Sequence, residues 1–319
     1  MLKERPFPFP TDKSIRVIID TDCYNECDDQ FCVTHALMTP KFDIKGIIAA
    51  QFGTVHRRSG TEQESYDEIA NLVHLMGLDG TVDILHGLDS ALTGRDDPAF
   101  CKGSQRIIDE AMSDDPRPLF VATLGAVTNV AAALLKAPEI KDRMTVISIL
   151  GAPYPAGGFE FNLMNDPVAA DILMTSGVKL WQVPSSVYAT MKVSYYEMLN
   201  KVYPYGEIGK YLVTYAVEFA GKMQKMIAEL KDLLPAPPDM SEVTIGGELW
   251  SLGDSPTVGI MMNPTVGRFH DEKAPSRVLP DGRYEFDGTE TGTIRVYDDI
   301  DNRFIVTDMF EKLKYNFGE

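Results

Sequence analysis

Positive charge is what this chain is short of: 30 Lys and Arg stand against 47 Asp and Glu in 319 residues, a formal charge of −17 at pH 7. A phosphate backbone repels a surface of that sign, which argues against nucleic acid as a partner. Long hydrophobic runs are missing as well. The N-terminus, Met1 to Pro8, shows no apolar core for a signal peptide, and no later run is long enough to span a bilayer. The expectation is a cytoplasmic protein with no membrane partner. Cysteine is scarce: Cys23, Cys27, Cys32 and Cys101 are too few for a disulfide scaffold. Three of them fall within ten residues, which suits a reducing compartment. That trio reads either as a thiolate metal site or as small buried hydrophobes, and no second Cys/His pair at zinc spacing accompanies it.

What is present is ordinary for a folded protein: 44% hydrophobic and 24% charged residues. A chain of this length buries roughly three quarters of its unfolded surface and needs no staple. The β-branched run Ile15–Ile19 predicts a buried strand that ends in Asp20-Thr21-Asp22. Asp28 and Asp29 open a helix-period stretch that stops before Pro40. Further strands are expected at Ile44–Ala50, Leu119–Thr123, Met144–Leu150 and Val178–Val183. Helices are expected between them at Thr61–Gly77, Ser104–Ala111, Val127–Leu135 and after Asn165-Asp166-Pro167.

Alternation with short connections over about residues 13–185 implies an α/β fold: a mainly parallel central sheet with helices on both faces, a Rossmann-like core. The remainder, about 186–319, reads differently. It has helices at Tyr195–Leu199, Tyr205–Leu234 and Phe304–Leu313, a break at Pro235-Ala236-Pro237-Pro238, and short strands near Arg283–Phe286 and Thr293–Val296. Neither an internal repeat nor a flexible linker divides the chain, so 1–319 is expected to form one domain.

Ligands of open α/β sheets sit at the carboxyl ends of the strands. Asp20 and Asp22 end the first strand, Leu124-Gly125 and Leu150-Gly151 end later ones, and Glu160 and Asn162 follow in what reads as an extended loop, facing one side. The stretch Asp20 to Asp29 holds four aspartates and a glutamate. Carboxylates that close repel one another, and a hard divalent cation such as calcium or magnesium removes the conflict. Helix capping by Asp28 and Asp29 explains one or two of these acids but not the cluster. A bound cation lowers the pKa of a water, and a neighbouring carboxylate can take its proton.

The Asp20-Thr21-Asp22…Asp28-Asp29 stretch resembles the N-terminal fingerprint of the inosine–uridine nucleoside hydrolase family. Further matches follow in order: Leu124-Gly125-Ala126-Val127-Thr128-Asn129-Val130-Ala131, Glu160-Phe161-Asn162 with Asn165 to Ala170, Gly253-Asp254-Ser255-Pro256, and the tail from Val296 to Phe304. The resemblance implies one calcium ion per subunit, holding a nucleophilic water and the ribose 2′- and 3′-hydroxyls. It implies Asp22, Asp28, Asp29, the carbonyl of Leu124 and Asp254 as metal ligands, and Asp22 as general base. It assigns Asp28, Glu160, Asn162 and Asp254 to the ribose, with Phe161 packing on it. The implied reaction is hydrolysis of the N-glycosidic bond of a nucleoside or related N-riboside through an oxocarbenium-like transition state. A homo-oligomer, dimer or tetramer, is implied too.

Three features depart from the family pattern. The loop between Asp22 and Asp28 is two residues longer, which places Asn25 in the expected pocket. Gly253 stands where the family usually has a His before the last metal aspartate, and Thr54 where many members carry an Asn. Candidates for the leaving-group side are His56 (beside Arg57 and Arg58), His86 and Trp250. Each also has a plainer reading as a solvated loop, a structural histidine or a core aromatic. Met261-Met262 and Met223–Met226 read as core. Two other functions fit parts of the pattern. A strand ending Asp-x-Asp also opens magnesium-dependent haloacid dehalogenase-type phosphohydrolases, with Asp20 as nucleophile and Asp298-Asp299 as a later acidic pair. A ribose-binding protein that has lost turnover would keep the metal site without the His.

Overall fold

A computed structural model describes residues 2–233, 247–290 and 292–318. Strand β1 (Ile15–Thr21) is buried along its whole length and leads to helix α1 (Asp28–Leu37). β2 (Phe42–Ala49), α2 (Gly53–His56), α3 (Thr61–Leu75) and β3 (Ile84–His86) come next. Helix α4 (Lys102–Met112) precedes β4 (Leu119–Thr123), α5 (Thr128–Lys136) and β5 (Thr145–Ile149). Two short helices, α6 (Phe161–Asn165) and α7 (Pro167–Thr175), lead into β6 (Lys179–Val183).

After one-turn helix α8 (Ser185–Tyr188) come β7 (Lys192–Ser194), α9 (Tyr195–Lys201) and the long α10 (Gly206–Leu233). β8 (Leu249–Ser251) pairs antiparallel with β7, and α11 (Pro256–Met262) follows it. The chain ends with β9 (Gly267–Lys273), the small ladder β10 (Arg277–Val278) and β11 (Tyr284–Glu285), β12 (Thr293–Ile300) and α12 (Asn302–Phe317). The Pro235–Pro238 break lies outside the described residues.

The main sheet has eight strands in the order β3-β2-β1-β4-β5-β6-β12-β9. It is parallel except for the last pair, β12 with β9. Period-two alternation divides the side chains of β1 between two cores. Val17 and Ile19 pack in one with α1, α3, α10 and α12, whereas Ile18 joins Ile48, Val121 and Val146 in the other, under α4, α5 and α7. Helices therefore cover both faces, the arrangement expected for one α/β domain.

The sheet does not stop at residue 185, however. β12 continues four residues past the expected Val296 and docks parallel to β6, with Arg295 beside Trp181. The exposed, polar β9 then covers that edge.

The chain runs outward through β1, β2 and β3, then returns to lay β4 against the other side of β1. The reversal opens a crevice above β1 and β4, where ligands of such sheets bind. Asp22 follows β1 there, and Leu124 follows β4 with its N–H on the carbonyl of Asp20 at 2.8 Å.

Candidate active site

The loop after β1 turns back at once: the amide of Asn25 donates to the carbonyl of Asp22 at 2.7 Å. The chain then enters α1 at Cys27, whose side chain makes no capping bond. Asp28 and Asp29 thus occupy the first helical turn, where the free N–H groups and the helix dipole favour negative charge. The hydroxyl of Thr21 donates to Oδ1 of Asp29. Asp254 arrives from the loop between β8 and α11. Its carbonyl accepts from Sγ of Cys32 at 3.3 Å and from Oγ1 of Thr257 at 2.8 Å, which pins it beside α1.

Carboxylate oxygens of Asp28, Asp29 and Asp254 can all lie within 4.8 Å of one another. They line a cavity of about 60 Å³ with Asp22, Asn25, Glu26, Leu124 and Ile149. Glu160, Phe161, Asn162 and Tyr188 close its far side. A water needs on the order of 10–15 Å³ of such space, so the volume suits an ion with a few waters. Among the described residues, no ion pair reaches Asp22, Asp28, Asp29, Asp254 or Glu26. Burial, then the neighbouring carboxylates, push Asp22, Asp28 and Asp254 well above the usual aspartate range. Burial lifts Asp29 to about 6, and burial with Asp29 and Glu160 nearby lifts Glu26 to about 7. So much unneutralised acid around a small polar space fits a hard divalent cation held by oxygen ligands.

Glu160 and Asn162 do reach the cavity, but not from an extended loop. Glu160 is the N-cap of α6, and Asn162 lies within that helix. Oε2 of Glu160 accepts the amides of Gly151 at 2.7 Å and Leu163 at 3.0 Å. Its Oε1 accepts the amide of Asn162 at 3.1 Å and the Tyr188 hydroxyl at 2.9 Å. All four lone-pair directions are in use. Both amide hydrogens of Asn162 are committed as well, to the carbonyls of Leu124 (2.6 Å) and Ile149 (3.0 Å), so what it can offer a ligand is Oδ1.

Other expectations meet a mixed outcome. Asn25 lines the cavity and donates to Oδ2 of Asp22 at 3.1 Å. His56 stands at the rim, bonded to Asn25 and 5.3 Å from the ring of Phe161. His86 is elsewhere: it stacks on Tyr66 at 4.0 Å with Nδ1 3.1 Å from Glu62. Trp250 is buried edge-on against Phe219 at 5.6 Å and does not line the cavity.

The first three cysteines are buried free thiols, and burial pushes them up, so they are neutral hydrophobes and not a thiolate site. Met261 is buried and Met262 packs against the same core. Asp20 turns away from the cavity to Nδ2 of Asn129 at 2.9 Å, and Asp298 pairs with exposed His270 at 2.9 Å. Neither is placed for the phosphohydrolase reading.

Besides apolar Ile149, two polar residues of the cavity escaped the sequence reading. Glu26 was visible within the acidic run. Tyr188 had no motif, only its place just after β6, at the strand ends where sites form.

The chain matches the family described as inosine-uridine preferring nucleoside hydrolase over residues 17–306. Uridine nucleosidase 1 of Arabidopsis thaliana is 26% identical over 209 residues, covering 59% of this chain and 61% of that protein. The pyrimidine-specific ribonucleoside hydrolase RihA of Salmonella newport is 26% identical over 187 residues, 50% of this chain and 57% of its own. The match therefore spans roughly three fifths of those relatives' length. Among solved structures, a purine-preferring ribonucleoside hydrolase from Gardnerella vaginalis superposes with a TM-score of 0.73 at 20% identity, over 93% of this chain and 98% of that one. The plant nucleoside hydrolase PpNRh1 gives 0.70 at 18%, over 94% and 99%. At those identities the likeness shows the fold. No helix among the described residues is long and apolar enough to cross a membrane.

Proposed function

The chain belongs to the inosine-uridine preferring nucleoside hydrolase family, and from that premise we propose that it hydrolyses the N-glycosidic bond of a ribonucleoside or related N-riboside with one calcium ion per subunit. The observation that carries this reading is the set of carboxylates of buried Asp22, Asp29 and Asp254 and half-buried Asp28 around one small cavity, with no cation among the described residues paired to them. Asp22, Asp28, Asp29, Asp254 and the carbonyl of Leu124 would hold the ion. When bound, calcium supplies Lewis acidity and neutralises the repulsion among these acids.

The protein's own groups do the rest. Asp22 takes the proton of the attacking water as general base. Asp28 and Asp254 face the ribose hydroxyls, and Asn162 accepts one through Oδ1. The phenyl ring of Phe161 packs on the sugar. Glu160 acts mainly by fixing Asn162 and Tyr188, since its oxygens are already occupied. As the C–N bond to the leaving group stretches, the electron pair leaves with the base, and the carboxylates stabilise positive charge developing on the sugar.

Release of reducing sugar from a panel of purine and pyrimidine ribonucleosides, with and without chelator, tests the reading. Turnover that chelator abolishes and calcium restores is the expected result. Protein that holds calcium and ribose but hydrolyses no riboside would instead be a binding protein. The family resemblance also supports a cytoplasmic dimer or tetramer, which sedimentation of the purified protein checks.

A further inference from the structure

Two hydrogen bonds run in series from a rim histidine to Asp22. Nε2 of His56 lies 2.9 Å from Oδ1 of Asn25, and Nδ2 of Asn25 lies 3.1 Å from Oδ2 of Asp22. Chemistry fixes their direction. With the cation bound Asp22 is ionised and only accepts, so the NH2 side of Asn25 faces it; the amide oxygen is then left for His56, whose Nε2 carries hydrogen.

The histidine is not on a swinging loop. Helix α2 is tied down by the amide of Gly53 on Oε1 of Gln51 (2.9 Å) and the amide of Val55 on Oδ1 of Asn165 (3.1 Å). Its ring, on an exposed residue, meets Phe52 edge-on at 5.7 Å and Phe161 at 5.3 Å. Asn25 in turn belongs to the lengthened loop and folds back on Asp22 through its backbone amide too. On the other side of Asp22, Oδ1 packs so closely on Gly125 that a Cβ there would collide with it.

We propose that His56 and Asn25 are positioning residues for Asp22, clamping its carboxylate plane through Oδ2 while Gly125 backs Oδ1. The proposal rests on the reading of Asp22 as general base. It also reassigns His56: with Nε2 engaged by Asn25, that nitrogen is not the proton donor to a leaving group.

The test uses the full chain loaded with calcium and the variants His56→Leu, His56→Gln, Asn25→Leu and the double His56→Leu/Asn25→Leu. The relay predicts that His56→Leu lowers kcat by about tenfold with KM and calcium affinity held, the scale typical of outer-shell partners. Gln places an N–H donor at similar reach and restores kcat to within about threefold of wild type. The double variant is no worse than Asn25→Leu alone, because both substitutions cut the same chain. Losses that multiply, or a His56→Leu effect that changes with the leaving group or falls on KM, overturn the relay while leaving hydrolysis in place. A wild-type protein that binds calcium and cleaves no riboside overturns hydrolysis and relay together.

Discussion

Tyr188 stands so close to Gly253 that a Cβ on the glycine would lie 3.1 Å from Cδ2 of the tyrosine ring and 3.0 Å from Oδ2 of Asp28. Tyr188 and Asp28 thus crowd the place where the family's usual histidine would begin, and the tyrosine hydroxyl is spent on Glu160. Restoring the family residue should therefore harm this protein. Gly253→His is expected to destabilise by about 1–3 kcal/mol, the usual cost of overpacking, and to lower turnover. Adding Tyr188→Ala should return part of the stability. Urea unfolding of the three proteins decides it, and a Gly253→His variant as stable as wild type with Tyr188 intact would refute the steric argument.

The repulsion within the acidic cavity should be visible when no cation is bound. Asp254 is raised by burial first and by Asp28 and Asp29 next. Asp254→Asn removes one charge and keeps the shape, so the chelated variant should melt higher than chelated wild type by about 2 °C or more. The same change should abolish most of the calcium-induced rise in Tm, since a ligand is lost. Melting curves of both proteins with chelator and with calcium check the two signs together. A lower Tm in chelator would mean that the acids are not in conflict.

The pH dependence follows from the direction of those shifts. Asp29 is lifted to about 6 and Glu26 to about 7, each by burial first, from ordinary values near 4. The native state then holds protons that the unfolded chain has released, so stability falls as pH rises from about 4 to about 7, and the loss is complete above that. Buried His35, lowered to about 4 by burial, acts in the opposite sense over the same range. The comparison of wild type with Asp29→Asn separates them. In chelator, the wild type should lose stability relative to the variant between about pH 4 and pH 6, and calcium should reverse that trend. Parallel stability–pH curves for the two proteins would count against it.

Much of this was legible because it depends on local pattern. The β-branched run of β1 and the short apolar run of β4 mark two strands, which dock on each other in parallel register with Val17 against Phe120 and Ile18 against Val121, and strand ends locate the crevice. The acidic run needs only the rule that buried like charges demand a counter-ion. What sequence could not show depends on long-range contacts. β9, with the sequence Gly-Arg-Phe-His-Asp-Glu-Lys, is almost entirely exposed, so it has no apolar alternation, and only its pairing with β12 makes it a strand. Glu160 and Asn162 looked extended because α6 is one turn long and owes its start to the Glu160 cap. Tyr188 enters the cavity through a contact with Glu160, 28 positions earlier in the chain, and nothing local announces it.

The last prediction concerns the joint between sheet and site. Nδ2 of Asn162 spans the carbonyls of Leu124, just beyond β4, and Ile149, at the end of β5, while Glu160 holds its amide from below. Replacing it by Leu leaves two buried carbonyls without that donor, a cost of about 1–3 kcal/mol for groups of this kind. Because the carbonyl of Leu124 is also among the proposed calcium ligands, the same substitution should weaken calcium binding, although residue 162 is not itself a ligand. Asn162→Asp should be worse on both counts, since it sets a carboxylate oxygen against two carbonyl oxygens and adds charge to the cavity. Urea unfolding and calcium titration of the two variants give four readouts. Calcium affinity unchanged in Asn162→Leu would mean that the Leu124 carbonyl is held by the backbone alone, and that Asn162 serves the sugar without serving the ion.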